Sequence, residues 1–296
     1  MELLQLKYFL ELSKTEHLRK TAEEMIVTPS AISTSISRLE KELGVQLFDR
    51  DGRKIRLNEF GRTYAKYIQQ MFDALENANA SLNELTNTEK TTISVYAVNP
   101  FLWNNALQAF RNTHPEISVA LFALDAGTDG SSAALPSSSN ADFYLSAPDT
   151  MPDLNLESEL LTHSELLLAV SPNHKLANKK SIRLAEAKDE WFINSPHSTS
   201  FRKYCDDLCQ LAGFTPKSSI ECDYVIRPRM LINENMVCIA TSLGRQSKLY
   251  DGTVMIPIID PPASRPFYIF WNKNRYQTKN AIAFKDFMVQ YCKDNF

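Results

Sequence analysis

The sequence predicts a multidomain protein: a small α-rich N-terminal domain, a long helix, and an α/β body with room for two lobes. Three observations predict it. Apolar residues keep helical spacing as far as Leu85, the mark of helices that each bury one face. From Thr92 onward, short runs rich in β-branched and aromatic residues alternate with helical segments, the pattern of an α/β fold. At 296 residues the chain can also bury one small core and a larger one.

The first domain is expected to span residues 1–60. His17–Met25 predicts a short helix with Leu18, Ala22 and Met25 on one face. Ile26–Thr28 turns the chain, and Pro29–Leu43 begins a second helix. Thr28 is a good N-cap, and Pro29 a natural first helical residue because its missing N–H would be unpaired there. Gly44 stands where a left-handed residue ends a helix. Ala31, Ile32, Ile36, Leu39 and Leu43 supply its core stripe, leaving Ser30, Ser33, Thr34 and Ser37 outside. Up to this point an ordinary helical hairpin fits as well as a helix-turn-helix. The next residues separate them. Arg50-Asp51-Gly52-Arg53-Lys54 places an Asp-Gly hairpin signal between cations, which makes a basic wing directly after the second helix. Short hydroxyls let a helix lie close to base edges, and cations on a wing meet phosphates. Thr28, Pro29, Ser30, Ser33, Thr34, Ser37, Arg38, Arg50, Arg53 and Lys54 are therefore the candidate contacts to double-stranded DNA.

Residues 61–90 read as one helix. Asn58 caps its start, and Tyr64, Ile68, Met71, Leu75, Ala78, Leu82 and Leu85 alternate steps of four and three. That is a heptad seam. It could pack on its own domain or on a second copy, and pairing is favoured because a small winged domain has little core left to cover. Asn87–Lys90 is a polar exit.

The body, residues 91–296, opens with a strand at Thr92–Val98 and a helix from Pro100 to about Thr113. Further strands are expected at Ile117–Leu124, Asp142–Leu145, Glu165–Val170, Ser219–Cys222, Met236–Ala240 and Phe267–Trp271. Helices are expected near Leu184–Lys188, at Ser200–Ala212 and at Thr278–Cys292. Gly127–Asn140 is small and polar, and holds either a short helix around Ser132–Leu135 or a loop broken by Pro136. Trp103, Trp191 and Trp271 are read as core.

Composition excludes several classes. The net charge of -3 rules out a polycation, so DNA contact must come from a local basic surface. Five cysteines without a dense framework fit a reducing compartment, and no apolar run spans a bilayer. Together these predict a cytoplasmic protein that stays off the membrane. Cys205 and Cys209 lie one turn apart and read as small apolar residues more readily than as a redox pair. The five histidines are scattered, so no metal site is expected. No Gly-x-Ser-x-Gly elbow accompanies His197. No catalytic residue or cofactor is predicted.

The N-terminal residues resemble one family, the LysR-type transcriptional regulators. The likeness runs through Leu6-Lys7-Tyr8-Phe9, Ala22-Glu23, Val27-Thr28-Pro29-Ser30-Ala31-Ile32-Ser33, Ile36, Leu39-Glu40, Glu42-Leu43-Gly44-Val45, Leu47-Phe48-Asp49-Arg50, Leu57-Asn58 and Gly61. The chain departs from it at His17, Pro29 and Ser35, where the family favours Ser, Gln and Gln. The resemblance implies a linker helix that pairs subunits into a homodimer or homotetramer, an operator, and RNA polymerase as a candidate partner. It also implies a body like that of periplasmic solute-binding proteins, with lobe I at 91–161 and 267–296 and lobe II at 162–266. The chain would cross near Leu161–Ser164 and Ser264–Pro266. A small, anionic effector would then sit between the lobes against Asn99, Pro100, Phe101, Ser198, Thr199 and Ser200. Ser146 and Tyr224 join by analogy with the family. The alternative from another class is a small-molecule enzyme or carrier whose N-terminal segment serves only assembly.

Overall fold

The computed structural model describes residues 1–51, 54–86, 92–124, 141–151 and 156–296. They fall into two compact units, Met1–Glu89 with Asn274–Tyr276, and Lys90–Lys273 with Gln277–Phe296.

The first unit contains α1 (Leu3–Thr15), α2 (Leu18–Glu24), α3 (Pro29–Leu43), a hairpin of β1 (Phe48–Asp51) and β2 (Lys54–Leu57), and α4 (Glu59–Leu85). The expected caps are present. His17 Nδ1 accepts from the Lys20 N–H at 3.2 Å, so a histidine caps α2. Thr28 Oγ1 accepts from Ala31 N–H at 3.2 Å, and Gly44 ends α3 at φ 75°. Between the helices Ile26 takes φ 56°, a left-handed conformation that costs a β-branched residue about 1–2 kcal/mol. The core joins Phe9, Leu12, Ile32, Ile36, Leu39 and Leu47. Ala31, expected in that stripe, is exposed, because it sits in the first turn, ahead of the face covered by α1 and α2.

Two contacts fix the wing against α3. The buried Glu40 carboxylate accepts from Leu47 N–H at 2.8 Å and Phe48 N–H at 3.3 Å, which ties the entry of β1 to the last turn of α3. Gly61 lets α4 approach the hairpin: a Cβ there would lie 2.2 Å from Leu47 O and 2.5 Å from Leu57 Cδ1. The α4 seam divides. Ile68 is buried, and Tyr64 and Met71 pack with it on the core of their own unit, which corrects the expectation that α4 has little core to cover. Leu75, Leu82 and Leu85 are exposed. Asp51 of the Asp-Gly pair ends β1 opposite Lys54, whereas residues 52–53 and 87–91, with Gly52, Arg53 and the polar exit, lie outside the described residues.

The second unit begins with β3 (Thr92–Ala97), a 3-10 turn at Pro100–Trp103, α5 (Asn104–Thr113), β4 (Ser118–Ala123), β5 (Phe143–Ser146) and a 3-10 turn at Pro148–Thr150. It continues with β6 (Leu156–Val170), β7 (Ile182–Arg183), a 3-10 turn at Leu184–Ala187, β8 (Trp191–Asn194), α6 (Ser200–Leu211), β9 (Lys217–Glu221) and α7 (Arg227–Asn233). It ends with β10 (Val237–Thr241), α8 (Ser242–Gln246), β11 (Val254–Asp260), β12 (Ser264–Asn272) and α9 (Lys279–Asn295). The helices expected from Pro100 and at Leu184–Lys188 thus start or stay in the tighter 3-10 form. Gly127–Asn140, expected as a short helix or a loop, lies outside the described residues.

Among the described residues the strands run in the order β4-β3-β5-β12-β6-β10-β8-β9, with β11 on β6 and β7 on β11. Strand β6 belongs to both halves of this sheet. Its residues Leu156–Glu165 pair with β12, and Leu166–Val170 pair with β10 and β11. The sequence predicts only Glu165–Val170 of this strand, because the stretch before it is half-exposed and carries Glu157 and Glu159. Each half has its own core. One gathers Trp103, Phe110, Phe143 and Phe284; the other gathers Leu168, Phe192, Cys205, Cys209 and Val237. Trp191 is half exposed, at 51%, because it is the first residue of β8, ahead of Phe192–Asn194, which are all buried. No helix among the described residues is long and apolar enough to cross a membrane.

Two outcomes follow from this packing. Gly61→Ala is expected to lower the stability of the first unit by about 2–3 kcal/mol through overpacking, read as a shifted urea midpoint; an unmoved midpoint would mean that the hairpin can yield freely. Burial pushes the Cys209 and Cys292 thiols up to about 12 and Cys238 to about 11, with Cys205 raised further. At pH 8 these four are expected to resist a disulfide reagent until the chain unfolds, leaving Cys222 as the first to label. Rapid labelling of Cys205 or Cys209 in the native protein would restore them as a redox pair.

Candidate functional site

The first candidate surface is the outer face of α3. The core takes Ile32, Ile36 and Leu39, one turn apart, which leaves Pro29, Ser30, Thr34, Ser37 and Arg38 exposed and Ser33 half-buried. Thr28 has a structural task as well, since its hydroxyl caps α3 and lies 3.0 Å from Ser30 Oγ. Arg50 ends up on β1 and Lys54 on β2, in register Arg50↔Ile55 and Asp51↔Lys54. The wing therefore issues directly from the α3 end, anchored by Glu40.

The second candidate site is a cavity of about 610 Å³ in the second unit, where the two halves of the sheet meet. The first half contributes Val98, Asn99, Leu102 and Thr150; the second contributes Ser198, Thr199, Ser200, Tyr224 and Arg227. Arg265, at the start of β12, reaches it from the crossing. Five expected residues line it: Asn99, Ser198, Thr199, Ser200 and Tyr224. Three do not. Ser146 is fully buried on β5 and donates to Ala147 O at 3.2 Å, since every position of that central strand faces a packed layer. Pro100 and Phe101 fall in the 3-10 turn behind the lining; Phe101 is 45% exposed and meets Tyr224 edge-on, with centroids 6.2 Å apart. Nor does Asn99 cap that turn: its side chain makes no cap bond, and Oδ1 is buried without a partner.

Thr199 does cap α6, accepting from Arg202 N–H at 3.2 Å. Ser200 Oγ, in the first turn, lies 2.8 Å from Thr150 Oγ1 across the cavity wall. The start of a full-length helix, with its outward N–H groups, thus faces the enclosed space, an arrangement that favours negative charge.

Three buried arginines surround this wall, and sequence reading found none of their roles. They differ in how their charge is met. Arg202 Nε donates to both Asp206 oxygens at 2.9 and 2.8 Å, and its Nη1 donates to Glu221 at 2.8 Å and to Ser195 O at 3.2 Å. The Arg202 hydrogen bond holds the Glu221 carboxyl below its ordinary range, and Glu221 also meets His197 at 2.7 Å. Arg265 Nη2 donates to Asp149 at 2.7 Å and to Ser200 Oγ at 2.9 Å. Its guanidinium lies 5.5 Å from the Phe201 ring centroid and 5.1 Å from that of Tyr204, a favourable cation–π placement.

Arg227, the third, is only 4% exposed. Its Nη2 donates to Ser195 Oγ at 2.6 Å, its guanidinium lies 5.9 Å from the Phe201 centroid, and its Nε is buried without a partner. No carboxylate among the described residues pairs with it. The signal in the sequence was the Ile226-Arg227-Pro228-Arg229 run, which looks like a loop until α7 forms.

Comparison with known proteins places both surfaces in one family. Residues 3–62 match "Bacterial regulatory helix-turn-helix protein, lysR family", and residues 91–293 match "LysR substrate binding domain". The chain is 28% identical to the transcriptional dual regulator GltC of Bacillus subtilis over 98% of this chain and 97% of that protein. Its fold is like that of a full-length OxyR variant from Pseudomonas aeruginosa, with TM-score 0.67, 19% identity, and coverage of 97% and 94% of the two chains. It is also like full-length CbnR complexed with its target DNA, with TM-score 0.57, 20% identity, and coverage of 99% and 100%. With the two matched domains accounting for the α3 surface and for the cavity, the chain belongs to the LysR family: it is a DNA-binding transcriptional regulator with a substrate-binding domain.

Proposed function

We propose that this regulator reads an operator through α3 and is controlled by a small anionic effector held in the cavity. The exposed hydroxyl face of α3 carries the proposal for DNA. Ser30, Ser33, Thr34 and Ser37 are short enough to bring that helix against base edges in the major groove, Thr28 and Pro29 set its entry, and Arg38 reaches a phosphate. Arg50, Arg53 and Lys54 of the wing contact the backbone or minor groove.

The domain boundaries belong to the same reading: DNA binding at 1–60, a linker at 61–90, and an effector module at 91–296. Within that module lobe I comprises 91–161 with 267–296, and lobe II 162–266. The exchange of β6 partners between Glu165 and Leu166 and the two separate cores support this division. For assembly, Leu75, Ala78, Leu82 and Leu85 form an uncovered stripe on α4. A second copy covering it would give a homodimer, or a homotetramer through further contacts, and bring two copies of α3 to two half-sites. RNA polymerase is a further partner in this reading, at a promoter-bound operator, and a DNA target supports a cytoplasmic location.

We read the cavity as a binding site and not an enzyme's. Apart from the exposed Asp223 carboxylate, its polar side chains are hydroxyls, an amide and guanidiniums, groups suited to holding an anion. The effector acts only if it binds one arrangement of the lobes more tightly than another.

The test is a gel shift with the DNA upstream of the coding region, repeated over a salt series. Arg53→Ala is expected to weaken binding to all sequences and to reduce the slope of log K against log salt by about one per chain; an unchanged slope would remove the wing from the interface. Leu82→Glu is expected to move the protein to a later, monomeric elution position at micromolar concentration. Unaltered elution would assign assembly to another surface.

A further inference from the structure

We infer that Arg227 is the anchor for a single carboxylate, so that the effector is a small monocarboxylate with a largely apolar body. This rests on the reading of the cavity as an anion site, and narrows it to one charge, one anchoring side chain and one ligand class. The argument starts from charge. Each of the other buried guanidiniums on this wall already meets a carboxylate: Arg202 meets Asp206 and Glu221, and Arg265 meets Asp149. Arg227 meets none among the described residues: its side-chain partners are the neutral Ser195 hydroxyl, at 2.6 Å, and the Cys238 thiol. A buried charge without a counter-charge is costly unless something supplies one. The missing charge is one unit, and the exposed Asp223 carboxylate on the same lining disfavours a second.

Shape and surroundings select the group. The two Nη groups of a guanidinium form a planar fork that fits two carboxylate oxygens side by side, and of Arg227's pair Nη2 is engaged by Ser195. Phosphate would bring more charge and more hydration into a wall built of Val98, Leu102, Leu124, Leu249 and Phe267, where its desolvation is poorly repaid. The body of the ligand lies along these apolar residues. Across the cavity the Asn99 amide, with Oδ1 buried and unpaired, suits a hydroxyl or amine on that body. Asn99 follows β3 in the first half of the sheet, whereas Arg227 begins α7 in the second. One molecule satisfying both would span the halves.

The experiment is thermal melting of the full chain with sodium phenylacetate, sodium 4-methylpentanoate and sodium 2-hydroxy-4-methylpentanoate. Each is compared with its primary amide and with sodium chloride at equal ionic strength; disodium succinate and sodium sulfate serve as dianions. At about ten times Kd, at least one acid is expected to raise Tm by roughly 3–6 °C, and its amide to do nothing. Arg227→Met is expected to abolish that rise while melting, without ligand, no lower than the parent, because it removes an uncompensated charge. Arg227→Lys keeps the charge without the fork and is expected to weaken the acid roughly tenfold. The proposal is overturned if ligand-free Arg227→Met melts well below the parent, if Arg227→Lys binds as the parent does, or if none of the acids acts. A dianion whose effect survives in Arg227→Met would overturn the monocarboxylate anchor yet keep the anionic cavity. Stabilisation by the amides alone would overturn both.

Discussion

Strand β6 is the constraint on which the effector module depends. It is one continuous 15-residue strand, yet its hydrogen-bonding partners change from β12 to β10 and β11 between Glu165 and Leu166. A strand cannot exchange its ladder midway without joining two sheets, so the two cores are held by the same backbone. Movement between them must be absorbed by twist at this crossing and at the start of β12. The side chains at the crossing reflect that load. Buried Ser164 Oγ lies 2.9 Å from Ser242 Oγ and accepts from Leu243 N–H at 3.0 Å, holding the start of α8. Arg265 spans Asp149 and Ser200, and Tyr204 donates to Ser264 O at 2.9 Å. The cavity lies where it does because the chain passes through this place twice, bringing one end of each half together.

Arg227 and Arg265 on the cavity wall, with Arg202 close by, show how similar side chains acquire different tasks. Arg202 has its carboxylates on its own helix and on β9, so its charge is settled within one half and its task is to hold α6 to β9. Arg265 divides its hydrogen bonds between Asp149 and the first turn of α6, so it fastens one half to the other. Arg227 has a hydroxyl, a thiol and no carboxylate among the described residues, and its Nε–H is without a partner. A native structure that carries such a group is less stable than it could be, and local sacrifices of this kind belong to sites that await a partner. The same reasoning dismisses the cysteines. Their thiols are buried among apolar neighbours, and burial pushes each away from the thiolate that redox chemistry requires.

Local rules made the DNA-reading unit legible. Thr28, Pro29 and Gly44 act within one turn of themselves, and the Asp-Gly pair acts between adjacent residues, so the bounds of α3 and the existence of the wing follow from sequence. Even there, tertiary packing had the last word on two points. Ala31 lies ahead of the covered face, and the α4 seam is spent partly on its own core. In the α/β body, strands with unbroken apolar runs were readable, whereas the first nine residues of β6 were hidden behind Glu157 and Glu159. The helix starts near the cavity were visible as Thr and Ser clusters, and Ser200 and Thr199 do lie on its wall. Arg227 was not visible, because nothing local distinguishes an arginine facing solvent from one sealed beneath Phe201. The misplacement of Ser146 has the same origin: analogy placed the strand, and only packing decides which of its residues face the space beyond it.

Placement of the unpaired groups also bears on how a ligand could act at all. An effector that touched only one half would bind every arrangement of the two equally and shift nothing, however tightly it bound. Asn99 and Arg227 stand on opposite halves, and Thr150 meets Ser200 from opposite halves as well. Contacts of this kind exist fully in one arrangement and partly in any other, so their loss on opening is the differential affinity that control requires. Couplings between sites are commonly about 1–3 kcal/mol, the scale of one or two hydrogen bonds to a charged group. A single carboxylate on Arg227, helped by a donor at Asn99, is therefore sufficient to bias the module, and no wider rearrangement of either core is needed.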